Sequence, residues 1–148
     1  MEGELQKNKV SWIREISNFL EDYSGVYPGN EDTDIYKDMG VVGDDFHEMI
    51  EKFAKQYQVD MTDYLWYFHA DEEGQSIGGV FYKAPYQKVQ RIPFTPKMLA
   101  YFIETKKWKI DYPKHDTPKS RPDLLINKIV VFSFFIGVLI WLAYKFFV

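Results

Sequence analysis

Apolar residues recur at three- and four-residue steps in several stretches of the chain, the spacing of helices with one buried face. The first stretch runs from residue 9 to residue 23 and sets Trp12, Ile13, Ile16, Phe19, Leu20 and Tyr23 on one side. Glycine, proline, asparagine and aspartate crowd residues 24–34 and end it. The second stretch is sharper. Phe46, Met49, Ile50, Phe53, Ala54 and Tyr57 share one face, while Asp44, Asp45, His47, Glu48, Glu51, Lys52 and Lys55 share the other. Gly43 opens this helix, and Asp44 and Asp45 complement the positive end of its dipole. A short helix is predicted from Thr62–Asp63 through Tyr64, Leu65, Tyr67 and Phe68, with residues 71–79 as a loop. Val80–Tyr82 and Lys88–Ile92 alternate, which predicts a small β-hairpin around Ala84-Pro85. Thr95 then reads as an N-cap with Pro96 at the first helical position. Met98, Leu99, Phe102 and Ile103 give that last helix its apolar face, which fades near Trp108.

The C-terminal pattern has no period. From Ile129 to Tyr144 there is no charged residue, and only Lys145 interrupts the run to Val148. Twenty helical residues extend about 30 Å, the thickness of a bilayer core. A buried helix of a globular domain would keep a polar stripe, and this segment has none. A transmembrane helix is therefore predicted, with Ile129, Phe134, Leu139, Trp141 and Tyr144 as lipid-facing positions. Trp141 and Tyr144 fall near one end, where amphipathic rings favour the interface. Lys114, Lys119, Arg121 and Lys128 precede the span and only Lys145 lies near its far end, so positive-inside bias puts the N-terminal side in the cytoplasm. The first residues, Met-Glu-Gly-Glu-Leu-Gln-Lys, contain no apolar run and do not read as a signal peptide. Residues 109–123 hold three prolines and few apolar side chains, which predicts an extended linker with His115 solvated. The predicted divisions are 1–108 for a soluble domain, 109–123 for a linker and 124–148 for the anchor.

Composition narrows the chemistry. The 148 residues contain no cysteine and three histidines, which excludes disulfides, thiol nucleophiles and Cys-ligated metals and leaves little for a His-rich site. The net charge of −4 argues against a general nucleic-acid binder. The charge is uneven: residues 31–73 carry three bases and thirteen acids, while residues 74–108 carry six bases and one acid. An acidic middle of this kind suits docking onto a basic partner.

No catalytic constellation emerges. His47 and Glu51 lie four apart on a polar helical face, a spacing that could ligate a metal or serve as an acid/base pair but more often marks a surface contact. His69, with Asp71, Glu72 and Glu73 close behind, has the makings of a weak cation site but reads rather as part of a solvated loop. Gly78-Gly79 reads as a turn, and no serine sits in a Gly-x-Ser-x-Gly elbow. No cofactor, metal or small-molecule substrate is expected.

The residues Asp38-Met39-Gly40-Val41-Val42-Gly43-Asp44-Asp45, followed by Phe46-His47-Glu48-Met49-Ile50-Glu51-Lys52-Phe53, resemble the entry to helix II of acyl carrier proteins. That family places a phosphopantetheine-bearing serine where this chain has Gly43, so the resemblance implies a carrier that lacks its prosthetic group. The chain looks closer to a family of small bacterial proteins of unknown function that is similar to a degenerate carrier branch. Gly43-Asp44-Asp45, Val59-Asp60-Met61-Thr62-Asp63-Tyr64, Tyr67-Phe68-His69, Phe94-Thr95-Pro96 and Trp108 carry that likeness, over roughly residues 30–108. It implies a mainly helical, acyl-carrier-like bundle with a small β-hairpin insertion, here joined to a transmembrane helix.

The resulting expectation is a single-pass protein of a bacterial inner membrane with its N-terminal domain in the cytoplasm. The domain would be a non-catalytic interaction module that binds lipid through its C-terminal helix and a basic protein partner through Asp44, Asp45, Glu48 and Glu51. Phe81, Tyr82 and Tyr86 form a second candidate surface. A different class, an immunity or regulatory protein that neutralises a toxin or enzyme, also fits the small size, acidity and aromatic-rich loop.

Overall fold

Four α-helices carry the architecture in a computed structural model, which describes residues 2–74, 76–116 and 120–147. They are α1 (Glu2–Ser24), α2 (Gly43–Tyr57), α3 (Pro96–Thr105) and α4 (Pro122–Phe147). The fold is mainly helical, as the periodicity predicts. The apolar faces of the first three helices meet in one core. Ile16, Phe19 and Leu20 of α1 pack with Phe46, Met49, Ile50 and Phe53 of α2 and with Leu99, Phe102 and Ile103 of α3. Phe19 stands edge-on to Phe53 at 6.3 Å and to Tyr57 at 5.9 Å, a favoured aromatic geometry.

The start of α3 follows from local sequence, and the end of α2 depends on a distant residue. The Thr95 hydroxyl accepts from the Met98 amide at 3.3 Å, and Pro96 takes the position where no amide is needed. Helix α2 ends at Gln58 in the left-handed region, and its Tyr57 carbonyl accepts from Lys106 Nζ at 2.9 Å. Past α3, the chain turns back beside α2. Asp60 donates its amide to the Lys106 carbonyl, and Trp108 donates to Asp60, both at 2.9 Å. This single parallel bridge, Asp60 with Lys107, is the β-pairing among the described residues.

The predicted hairpin does not form. Gly78–Val80 and Pro85–Lys88 are 3₁₀ turns instead. The amides of Val80 and Phe81 bond to Ile77 and Gly78, three residues back, so they are not offered to a partner strand. Pro85 and Pro93 have no amide to offer. The helix predicted over residues 62–68 contracts to the 3₁₀ turn Trp66–Phe68. Asp60 explains this: its carboxylate accepts from the Thr62 amide at 3.0 Å and hydroxyl at 2.6 Å, holding a turn where a helix would start.

Residues 109–116 run without regular structure, but they lie against the body through Tyr112 and His115. His115, expected to be solvated, is half-buried. Its Nε2 accepts from the Tyr67 hydroxyl at 2.9 Å, and its Nδ1 donates to the Pro113 carbonyl at 2.8 Å. Residues 117–119 of the predicted linker, with flanking Lys119, lie outside the described residues, as does Val148 at the end of the predicted span.

Candidate functional site

The four acidic residues of α2 project outward because the core claims the opposite face. Asp44, Asp45, Glu48 and Glu51 are all exposed. Their field is felt locally: the Tyr23 hydroxyl is pushed up by burial and then by the charges of Glu48 and Asp45. That hydroxyl donates to the Asp45 carbonyl at 2.9 Å, and Lys52 lies 5.5 Å from the Tyr23 ring centroid. Beside these acids runs a groove of about 690 Å³. Ile50, Ala54, Val59, Met61, Tyr64 and Trp66 give it apolar walls, and Asp44, Glu51 and Glu72 lie on its lining with His47 and Lys55. His47 meets the edge of Trp66 at 5.6 Å, so it lies against a wall of the groove. The Tyr64 hydroxyl is buried without a partner among the described residues, and burial raises its ionisation well above the phenol range.

Gly43 holds the start of α2 at φ 54°, in the left-handed region, with the Glu73 side chain lying where a Cβ would sit. The start of α2 is thus built around the absence of a side chain at residue 43.

His69 is fully buried, not part of a solvated loop. The Tyr112 hydroxyl accepts from Trp108 Nε1 at 2.8 Å and from the Leu65 amide at 3.2 Å. Its own proton therefore goes to His69 Nε2, 3.0 Å away, and His69 Nδ1 donates to the Ile92 carbonyl at 3.3 Å. The imidazole is neutral, with both nitrogens engaged, and burial holds it down to about 4. Tyr64 stacks on it at 5.9 Å, and Trp108 meets it edge-on at 5.4 Å. This cluster joins three separate chain segments, 64–69, Ile92 and 108–112. Sequence reasoning missed it, although the buried Trp108 and the aromatic density of residues 64–69 were its visible traces.

Phe81 and Tyr82 are exposed and Tyr86 is half-buried, on the far side of residues 71–76 from α2 in sequence. Ile129, Phe134, Leu139, Trp141 and Tyr144 are exposed along α4, the described helix long and apolar enough to cross a membrane. Among the described residues, no three metal-ligating side chains come together.

A family model for proteins of unknown function (DUF1493) matches residues 5–111, the greater part of the chain. The chain belongs to the DUF1493 family. The matched span takes in α1 from residue 5 onward, α2, α3, His69 and Trp108, and stops one residue before Tyr112. Helix α4 lies outside it. Comparison with curated proteins and with solved structures finds no match.

Proposed function

We propose that this DUF1493 chain is a membrane-tethered, non-catalytic interaction module whose α2 face docks a basic, amphipathic segment of a partner protein. The observation that carries this reading is the pairing of an apolar groove with exposed Asp44, Glu51 and their neighbours Asp45 and Glu48. A helix with one apolar and one basic face meets complementary chemistry on both sides of such a groove. The carrier-like character rests on the same helix entry, with Gly43 in place of the modified serine, so no thioester arm attaches there. A non-catalytic role is supported by His69, whose two ring nitrogens are both bonded inside the core. Helix α4 supplies the tether, and the basic residues before it favour a cytoplasmic domain.

The test is Asp44→Lys combined with Glu48→Lys in the full chain, purified in mild detergent from native membranes. Exposed charges add little to stability, within about 0.5 kcal/mol, and Asp44 adds up to about 1 kcal/mol at the helix N-terminus. The fold should survive, while partner capture should be lost through like-charge repulsion. Capture by the unmutated chain should weaken as salt rises. Capture that persists through both changes places the docking surface elsewhere. A captured lipid-synthesis enzyme supports the carrier-like reading, and a captured toxin supports the immunity reading.

A further inference from the structure

We propose that the loop Ile77–Tyr82 is a second membrane contact, an apolar tip that enters the headgroup–acyl boundary beside the root of α4. The proposal rests on the reading of α4 as a membrane-spanning helix. Outside α4, Val80 and Phe81 are the most exposed large apolar residues among those described, at 81% and 71%, with Ile77 at 53% and Tyr82 at 50% beside them. Four neighbouring side chains of this kind do not remain in water without a reason.

The loop is fixed to the first turns of α4. Asn127 Oδ1 accepts from the Gly78 amide at 2.8 Å, and Asn127 Nδ2 donates to Ser76 Oγ at 3.0 Å. Gly78 presses against the backbone of Asp123, where a Cβ would have no room. Arg121 braces the same corner, donating to Glu72 at 2.9 and 2.6 Å and to Asp123 at 2.6 Å. The loop and the helix entry therefore move as one piece.

Their common depth follows from helix geometry. The uncharged run begins at Ile129, so Asn127 lies about 3 Å and Asp123 about 9 Å before it along the axis. The interfacial layer on each side of a bilayer is about 5–7 Å thick. A loop bonded at Asn127 is carried into that layer whenever α4 spans the core, with its contact at Asp123 just outside it. Its composition fits: two aliphatic residues, a phenylalanine and a tyrosine, the last suited to a boundary between oil and water. Cations lie near it in the chain and along the root of α4. Lys83 follows the tip, Lys128 lies on α4, and Lys88 and Lys114 line a cavity of about 570 Å³ that reaches Pro122. The acids nearby are Glu72 and Asp123, both paired with Arg121, exposed Asp44 and Glu73, which share a cavity with Gly79 and Val80, and Asp116 on the wall of the other cavity. The occupant of this surface is lipid, with anionic headgroups facing the lysines.

The absence of cysteine makes the test direct. Full chains carrying Phe81→Cys, Val80→Cys, Val138→Cys or Glu104→Cys are labelled with an environment-sensitive fluorophore and reconstituted in phosphatidylcholine–phosphatidylglycerol vesicles. Quenching is read with aqueous iodide and with lipids bearing a nitroxide near the top or near the end of the acyl chain. The Val80 and Phe81 labels should be severalfold less accessible to iodide than the Glu104 label and quenched best by the shallow nitroxide. The Val138 label should respond to the deep one. Loop labels as open to iodide as Glu104, with Val138 still deep, overturn this proposal and leave the spanning helix standing. A Val138 label open to iodide overturns both.

Discussion

Gly43 shows how a single backbone angle can hold a helix start to glycine. Left-handed geometry costs an ordinary L-residue about 1–2 kcal/mol. Gly43→Ser should therefore lower stability by about that amount, with Glu73 swinging aside at little expense because it is exposed. Gly43→Asn should cost less, since asparagine tolerates the region. Denaturant midpoints of the three chains check the order. Equal stability of glycine and serine would mean the helix start relaxes. At the same scale, His69 predicts a pH dependence. Its folded value lies near 4 and its ordinary value at 6.5, so between these the unfolded chain binds a proton that the folded chain refuses. The stabilisation is whole above pH 6.5 and drains away as pH falls to about 4, worth about 3 kcal/mol across that window. His69→Gln should begin less stable and lose this part of the slope. A wild-type curve that stays flat over the window would show that the imidazole is not held neutral.

Among the elements, the run after α3 behaves unlike the solvated linker its prolines suggest. Tyr112 acts as a strap, because one hydroxyl serves the Trp108 indole, the Leu65 amide and the His69 ring. Tyr112→Phe removes little volume from the packing but leaves the buried His69 and Trp108 rings and the half-buried Leu65 amide short of a partner. Each such group costs about 1–3 kcal/mol, and water will recover some of that, so a loss of about 2–4 kcal/mol is expected. Hydrogen exchange should accelerate at Leu65 and at the Trp108 indole in particular. A variant as stable as the parent, with protection unchanged, would show that the hydroxyl is incidental. The α2 face works in the opposite sense. Its acids make few fixed contacts, so their effect belongs to association and not to folding.

For the whole molecule, the point of division between body and anchor matters. Asp123 and Asn127 belong to α4 yet hold residues 72–80 of the body. The full chain should stay with membranes through alkaline carbonate washing, because about 30 Å of apolar helix leaves lipid only at great cost. Truncation after Lys128 should release a folded body, since it keeps every bond to Ser76, Gly78 and Glu72. Truncation before Arg121 should release a body whose 72–80 segment exchanges its amides faster. A fragment ending at Lys128 that still sediments with membranes would show that the Ile77–Tyr82 loop binds lipid without the span.

The sequence by itself determined α2, α3, the Thr95 N-cap and the apolar C-terminal helix. Each depends on residues within a few positions of one another: a 3.6-residue period, Thr95 before Pro96, an unbroken run from Ile129. It also marked the acidic face of α2, because a strong apolar face leaves only one side for charge. Tertiary structure decided the rest. The turn at Asp60 and the 3₁₀ turns at Gly78 and Pro85 replaced an expected helix and hairpin, since short apolar runs have no period long enough to choose between forms. His69 looked like a loop residue among Asp71, Glu72 and Glu73, and only its contacts with Ile92 and Tyr112, 23 and 43 residues away, show it to be core. Asn127 gave no signal at all, because its partners at Ser76 and Gly78 lie 51 and 49 residues back. Local periodicity records which face of an element is buried; it holds no record of which distant backbone arrives to bury it.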